Sequence, residues 1–375
     1  MENNSRTQQL IYLPRWVDEW NTNAQALNAR SMLARFKRAN VKWIAPYYSR
    51  PDSLLVDRPN LRLYQFWKKG FWRMHLVMQY QSSVDAIFYP GGTWYDAWGL
   101  RLRRLVGRRV PVIATLEGLA GDENRQREYS EWAKHSVFCQ VVRATCLARL
   151  DRLYQQADHV IAISPFLAEM GRRRYGDKFS VIPLGIDRKI FKPGRKVTVG
   201  DKVRVVTAGN LHTTKRPAMF IELARRHPSV EFTWYGGGGS SELESLRQQI
   251  EAENLGNLSF PGSVEPRVLA ANFRSSDIFV MPSISEGVPK VTQEAAACGL
   301  PVILFGYFEA PSIINGENGF VVWDDDEFYQ RVHDLIADSA IRRTMGAKGA
   351  AMAQEWCWDT IVPKWEGRIL EIINQ

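Results

Sequence analysis

Two acids, Glu286 and Glu294, stand on either side of what reads as a helix start. They lie in the run Ser283-Ile284-Ser285-Glu286-Gly287-Val288-Pro289-Lys290, which continues through Ala295-Ala296-Ala297-Cys298-Gly299 to Pro301-Val302-Ile303. A carboxylate only accepts hydrogen bonds, so two of them facing one crevice suit a ligand rich in O–H donors, such as a ribose and a second sugar. Pro289 suits a first helical turn and Gly299 its end, which puts Glu286 in the loop and Glu294 inside the helix. Backbone N–H groups at a helix start attract anions, and a loop glycine, Gly287, lets a bulky ligand approach the main chain beside Val288. The arrangement reads as a phosphate seat flanked by two hydroxyl-binding acids. The small-residue run before Gly299 marks a helix packed closely on a sheet, so its start is confined to a cleft edge.

A second chemical segment is Ala208-Gly209-Asn210-Leu211-His212-Thr213-Thr214-Lys215-Arg216-Pro217, which follows one apolar run and precedes a helical pattern. A lysine in such a turn is a candidate diphosphate clamp, because a point cation offsets charge on a departing phosphate. Tyr235-Gly236-Gly237-Gly238-Gly239-Ser240-Ser241 is weak alone, since glycine runs are often only flexible turns. The six histidines offer no evident general base. In the first half, Asn21, Thr22 or Asn23 is placed to cap the helix that follows, and Trp94 and Tyr95 have the chemistry to stack on sugar faces.

The elements that must hold these groups alternate. Ile11–Pro14, Val41–Ile44, Ala86–Tyr89, Val110–Ala114 and Val160–Ile163 are short β-like runs, most of them followed by turn residues and helical stretches. The alternation restarts after a Pro/Gly-punctuated, basic stretch at Phe191-Lys192-Pro193-Gly194, with strands expected at Val203–Ala208, Val230–Tyr235, Leu258–Phe260 and Asp277–Met281. Helices are expected near Pro217–Arg226, Glu242–Glu253 and Pro266–Phe273, and over the last stretch from Trp356 to Ile373. Alternation of this kind predicts an α/β fold with parallel sheets covered by helices. The chain has 375 residues, 45% of them hydrophobic. Single cores stop growing at about 250–300 residues, so two domains are expected, with the boundary near residue 190. Ligands of open α/β sheets sit at the carboxyl ends of the strands, and two such sheets would share a crevice there.

Four cysteines, Cys139, Cys146, Cys298 and Cys357, form no CxxC pair and read as inert thiols in a reducing compartment. No stretch approaches the roughly 20 apolar residues of a membrane span, and a cytoplasmic protein is expected. The net charge of +9 invites a nucleic-acid reading, but most Lys and Arg are scattered as on a solubilising surface, and no nucleic-acid partner is expected. Clusters do occur at 101–109 and at Arg172-Arg173-Arg174. The first, beside aromatic residues, suits peripheral contact with an anionic membrane, where each nearby basic residue contributes about 1 kcal/mol.

The pattern Glu286-Gly287-x-Pro289 … Glu294-Ala295-x-Ala297-Cys298-Gly299-x-Pro301-Val302-Ile303 resembles the paired-glutamate signature of retaining, two-Rossmann-domain (GT-B) glycosyltransferases of glycosyltransferase family 4. The resemblance implies an N-terminal acceptor-side domain over residues 1–190, a nucleotide-sugar-binding domain over 191–355 and a C-terminal helix over 356–375 that returns to the first. It implies that Glu294 holds the ribose and Glu286 the donor sugar, with Gly287 and Val288 also contacting the donor. Lys215 would then meet the diphosphate. The family commonly carries Gly-Arg-Leu in this loop. Here Asn210 takes the arginine place, leaving Arg216 as a substitute cation. Gly262 and Val264 match the segment whose backbone contacts the base. Where the family often has a His-Gly pair near the donor sugar, this chain has Glu117-Gly118, so Glu117 is a candidate for acceptor handling or sugar choice. The family's Gly-Gly turn near residues 18–25 is absent. The implied activity moves a sugar from a nucleotide diphosphate to a glycan or lipid-linked hydroxyl acceptor with retained configuration. Within the segments that carry the resemblance no Asp-x-Asp is evident, so no metal cofactor is expected. The rival readings are a nucleotide-sugar epimerase or phosphorylase, and a sugar or nucleic-acid binding protein without catalysis.

Overall fold

A computed structural model of the chain describes residues 8–12, 28, 31–46, 61–66, 84–89, 110–118, 137, 148, 150–194, 202–237 and 240–375. The chain divides into two compact units, Ile186–Cys357 and the remainder, in which Met1–Gly185 is joined by Trp358–Gln375. The break comes before Phe191 because Ile186 already belongs to the second unit. Its N–H donates to Trp356 O at 2.8 Å, and both Ile186 and Phe191 are buried in that unit's core.

The first unit holds a seven-stranded sheet in the order β3-β2-β1-β4-β5-β6-β7. The strands are β1 (Gln8–Tyr12), β2 (Ala39–Pro46), β3 (Leu61–Phe66), β4 (Ala86–Tyr89), β5 (Val112–Leu116), β6 (His159–Ala162) and β7 (Phe179–Val181). All pair in parallel, and β4 and β5 are buried along their whole length. This is why they read as continuous apolar runs rather than alternating ones. Helix α1 (Pro165–Tyr175) starts at Ser164, whose hydroxyl accepts from Leu167 N.

The second basic cluster, Arg172-Arg173-Arg174, forms the last turn of α1, where cations complement the helix dipole. Arg172 donates to Phe179 O at 3.1 Å, Arg173 pairs with Glu169 at 3.0 Å and Arg174 with Asp151 at 3.1 Å. The triplet is therefore occupied within its own unit. The cluster at 101–109, the aromatic residues near it, the loop at residues 18–25, Cys139 and Cys146 all lie outside the described residues.

The second unit holds a six-stranded sheet in the order β10-β9-β8-β11-β12-β13, again all parallel. Its strands are β8 (Arg204–Ala208), β9 (Glu231–Tyr235), β10 (Leu258–Gly262), β11 (Ile278–Met281), β12 (Val302–Phe305) and β13 (Gly319–Val322). Its helices are α2 (Pro217–Arg226), α3 (Ser240–Ala252), α4 (Pro266–Ser275), α5 (Lys290–Ala297), α6 (Asp325–Ala337) and α7 (Ser339–Met352). One core cluster joins the sheet to α2 and α6, and the other joins it to α4 and α5. Strand β10 runs two residues past the expected end and includes Pro261. An edge strand tolerates the missing N–H, and the ladder shifts register between Ser259 and Gly262.

The last helix, α8 (Trp358–Asn374), belongs to the first unit. Buried Glu366 anchors it there by accepting the backbone N–H groups of Lys37, Arg38 and Ala39 at 2.9, 2.6 and 2.9 Å. Trp365 adds a bond from its indole N–H to Pro183 O at 2.9 Å. Glu366→Ala would leave three N–H groups without their acceptor at the start of β2, at a cost of about 3 kcal/mol in denaturant unfolding. Unchanged unfolding would show that the anchor contributes nothing.

Candidate functional site

In a parallel sheet every strand delivers its carboxyl end to the same edge, and in the second unit that edge gathers the loops after β8, β9, β10 and β11. Backbone bonds stitch them together. Gly209 N donates to Tyr235 O at 2.8 Å, Leu211 N to Gly237 O at 2.7 Å and Gly236 N to Gly262 O at 2.9 Å. The approach at Gly236 requires glycine. Its φ is +149°, and a Cβ there would sit 1.8 Å from Gly209 O.

The loop after β8 tightens into a 3₁₀ turn over Thr213–Lys215, started by His212, whose Nδ1 lies 2.9 Å from Thr214 Oγ1. The carbonyl of Thr214 then accepts from Ile284 N at 3.0 Å and from Ser283 Oγ at 3.2 Å. Two segments far apart in sequence are thereby locked side by side, and Lys215 forms an ion pair with Glu286. Both side chains are mostly buried, at 21% and 13% exposure, so solvent screens the pair only in part.

Glu294 lies on α5, as the spacing predicts. The proline differs from expectation. Pro289 is the residue before the first turn of α5, with φ −75° and ψ 97°, and not part of the turn. Gly299 takes φ +89° just past the helix end, where a β-carbon is unfavourable. Glu294 faces Lys290 one turn earlier at 3.8 Å. Burial raises its carboxyl above the usual carboxylate range, while Lys290 pulls the other way. Gly287 and Val288 lie half-buried in the loop between Glu286 and Pro289, and Gly262 and Val264 are half-buried at the end of β10.

Arg216 does not stand beside Lys215's partner. It crosses to Asp325, with Nη1 2.8 Å from Oδ1, and places its guanidinium 5.3 Å from the Phe305 ring centre. That bond holds the Asp325 carboxyl below its ordinary value. Arg216 is therefore spent on a local pair. Asn210 is exposed at the loop's start. Sequence reading missed Thr214 and Ser283, the groups that dock the two loops, because side-chain and carbonyl contacts across some 70 residues leave no periodic signal.

In the first unit, Glu117 follows β5. Its carboxylate accepts from Thr115 Oγ1 at 3.1 Å and from buried Asn28 Nδ2 at 3.3 Å. Tyr154, which donates to Thr115 O at 3.1 Å, has its phenol pushed up by burial and further by Tyr175 and Glu117. Among the described residues no group of three or more His, Cys, Asp or Glu side chains could hold a metal ion. The Cys298 thiol is pushed up to about 12 by burial, as befits an inert core residue.

Two parallel α/β sheets with paired acids and a lysine at one carboxyl edge define the GT-B type of glycosyltransferase fold. The solved structures agree. The chain matches sucrose-phosphate synthase from Thermosynechococcus elongatus with a TM-score of 0.76 at 18% identity, covering 98% of this chain and 100% of that one. It matches Anabaena Alr3699/HepE in complex with UDP and glucose with a TM-score of 0.73 at 18% identity, covering 97% of this chain and 100% of that one. A family model described as Glycosyltransferase Family 4 matches residues 27–189, and one described as Glycosyl transferases group 1 matches residues 202–338. The chain belongs to glycosyltransferase family 4. Its curated relatives include a D-inositol 3-phosphate glycosyltransferase of Paenarthrobacter aurescens, 30% identical over 69% of this chain and 66% of that protein. A GDP-mannose-dependent alpha-(1-6)-phosphatidylinositol monomannoside mannosyltransferase of Mycolicibacterium smegmatis is 28% identical over 69% of this chain and 76% of that protein. Six other curated relatives are matched over 44% to 64% of their length, so the chain covers less than two thirds of each of them.

Proposed function

We propose that the chain is a retaining glycosyltransferase that moves a hexosyl group from a nucleotide diphosphate sugar to a hydroxyl of a glycan or lipid-linked acceptor. The observation that carries this reading is the docking of the β8 and β11 loops, which puts Lys215 against Glu286 at the carboxyl edge of the second sheet. Without donor, Glu286 neutralises Lys215. An incoming diphosphate brings more negative charge than one carboxylate and takes the lysine, and Glu286 is released to accept hydroxyls of the transferred sugar. Glu294 accepts the ribose hydroxyls, and the first-turn N–H groups of α5 face the phosphates. The main chain at Gly287, Val288, Gly262 and Val264 lines the donor, and Asn210 stands at the rim of the site.

In the reaction the bond from the anomeric carbon to the diphosphate oxygen breaks, and the acceptor oxygen bonds to the same face of that carbon. The acceptor proton passes to the departing phosphate oxygen, whose charge Lys215 stabilises. The chemistry is complete without a metal. Peripheral contact with an anionic membrane on the cytoplasmic side fits the basic composition and the lipid-modifying relatives. Among the described residues no helix is long and apolar enough to cross a membrane.

A thermal-shift panel of UDP, GDP, ADP and their sugars tests the reading, since a ligand that binds only the folded state raises its melting point. At least one nucleotide diphosphate sugar should stabilise the protein, and a panel without any shift would contradict the proposal. A transfer assay with the same nucleotide sugars tests Glu117. Thr115 and Asn28 hold it fixed at the position where the family resemblance implies a histidine. Glu117→His should change the ranking of donor sugars in a transfer assay, and identical rates and ranking would reduce it to a loop acid.

A further inference from the structure

Beyond the donor groups, the same sheet edge carries an exposed aromatic surface at the ends of β12 and β13. Trp323 is 62% exposed and Tyr307 44%, yet both are firmly held. Parallel rings run outward from the core, Phe328 on Phe305 at 5.1 Å and Phe305 on Tyr307 at 5.3 Å, and Trp323 stands edge-on to Tyr307 at 6.3 Å and 78°. The Tyr307 hydroxyl donates to Trp323 O at 2.5 Å, and Trp323 N donates to Glu327 at 3.1 Å. Gly306 lies beneath the indole, where a Cβ would meet Trp323 at 2.6 Å. Large exposed aromatic side chains held this rigidly lose little freedom on binding.

The rim decides the occupant. Asp324, Asp325, Asp326 and Glu327 follow Trp323 directly; Asp325 is paired with Arg216 and Glu327 lies 3.9 Å from Arg331, so four carboxylates against two guanidinium groups leave the border of the rings net negative, with acceptor positions to spare. A neutral pyranose has an apolar C–H face for the aromatics and O–H donors for the carboxylates. A phosphate group or an anionic bilayer meets like charge instead.

We propose that Tyr307 and Trp323 form a stacking platform for a neutral sugar ring, separate from the nucleotide groups. Strands β11, β12 and β13 are neighbours, which places the platform about 10 Å, two strand spacings, from the end of β11 that carries the Glu286 loop. A ring seated there lies a short oligosaccharide's length from the donor groups. Assigning it to the acceptor chain rests on the transferase reading above. The stacking itself rests only on the platform.

Titration calorimetry of the full chain with maltotriose, cellotriose and mannotriose tests this, with UDP and GDP melting shifts as a separate control. At least one trisaccharide should bind saturably. Trp323→Ala should weaken it about tenfold, equivalent to about 1.4 kcal/mol, while Trp323→Phe retains most of the affinity. The nucleotide shifts should not change. Absence of saturable binding by the parent, or equal binding by parent and Trp323→Ala, would overturn the platform even where nucleotides bind. So would Trp323-dependent binding to phosphatidylglycerol vesicles without trisaccharide binding, which would make the surface a membrane contact.

Discussion

Replacing Lys215 by alanine should lower the rate of sugar transfer by about two to three orders of magnitude, the usual cost of removing one preorganised group that stabilises a developing oxyanion. The expectation follows from the placement of Lys215 and from the fate of the neighbouring cation. Arg216 is held by Asp325 and the Phe305 ring, so it is not poised to substitute. Asn210, where the family commonly has arginine, carries no charge. The substitution also leaves Glu286 without its partner at 13% exposure, and a stability loss of about 1–2 kcal/mol is expected from that. The two effects separate experimentally. Glu286→Gln in the Lys215→Ala background should restore stability and leave the rate low. A Lys215→Ala enzyme with full turnover would move the cation role elsewhere.

Glu294→Ala should weaken nucleotide binding about a hundredfold, or about 2.8 kcal/mol, because a charged acceptor of two ribose hydroxyls is lost at once. Calorimetry with the stabilising nucleotide measures it, and unchanged affinity would remove the ribose assignment. A pH dependence accompanies the mutation. Burial raises the Glu294 carboxyl in the folded, unliganded protein. Protonation turns an acceptor-only group into one that also donates, so affinity should fall on acidification. The fall should begin at a higher pH than an ordinary carboxylate would give, and Glu294→Gln should flatten it. A parent enzyme whose nucleotide affinity is constant down to pH 5 would contradict this.

The parts of this chain that were legible in sequence are those written in local pattern. Apolar runs buried on both faces, as in β4 and β11, and the Pro217 and Gly299 punctuation of α2 and α5 need only neighbours in the chain to be read. The strand-loop-helix segments bearing Lys215 and Glu294 were legible for that reason. Strand β13 is short, its apolar run Phe320-Val321-Val322-Trp323 passing straight into the acidic stretch that starts α6, and β7 has only three residues. Neither stood out. The contacts that give the site its geometry were invisible because they are long-range. Thr214 O meets Ile284 N, Arg216 meets Asp325 109 positions away, and Glu366 meets Lys37 329 positions away. The basic triplet on α1 shows the converse. Its sequence shows only a cluster of charge, and its partners Glu169, Asp151 and the Phe179 carbonyl come from folding.

The most direct measurement is a crystal structure of the protein soaked with the nucleotide diphosphate sugar that most raises its melting point. The account predicts ribose hydroxyls within about 3 Å of the Glu294 carboxylate, the diphosphate at the start of α5 with Lys215 turned from Glu286 towards it, and the sugar against Glu286. A nucleotide seated elsewhere, with Lys215 and Glu286 still paired, would contradict it.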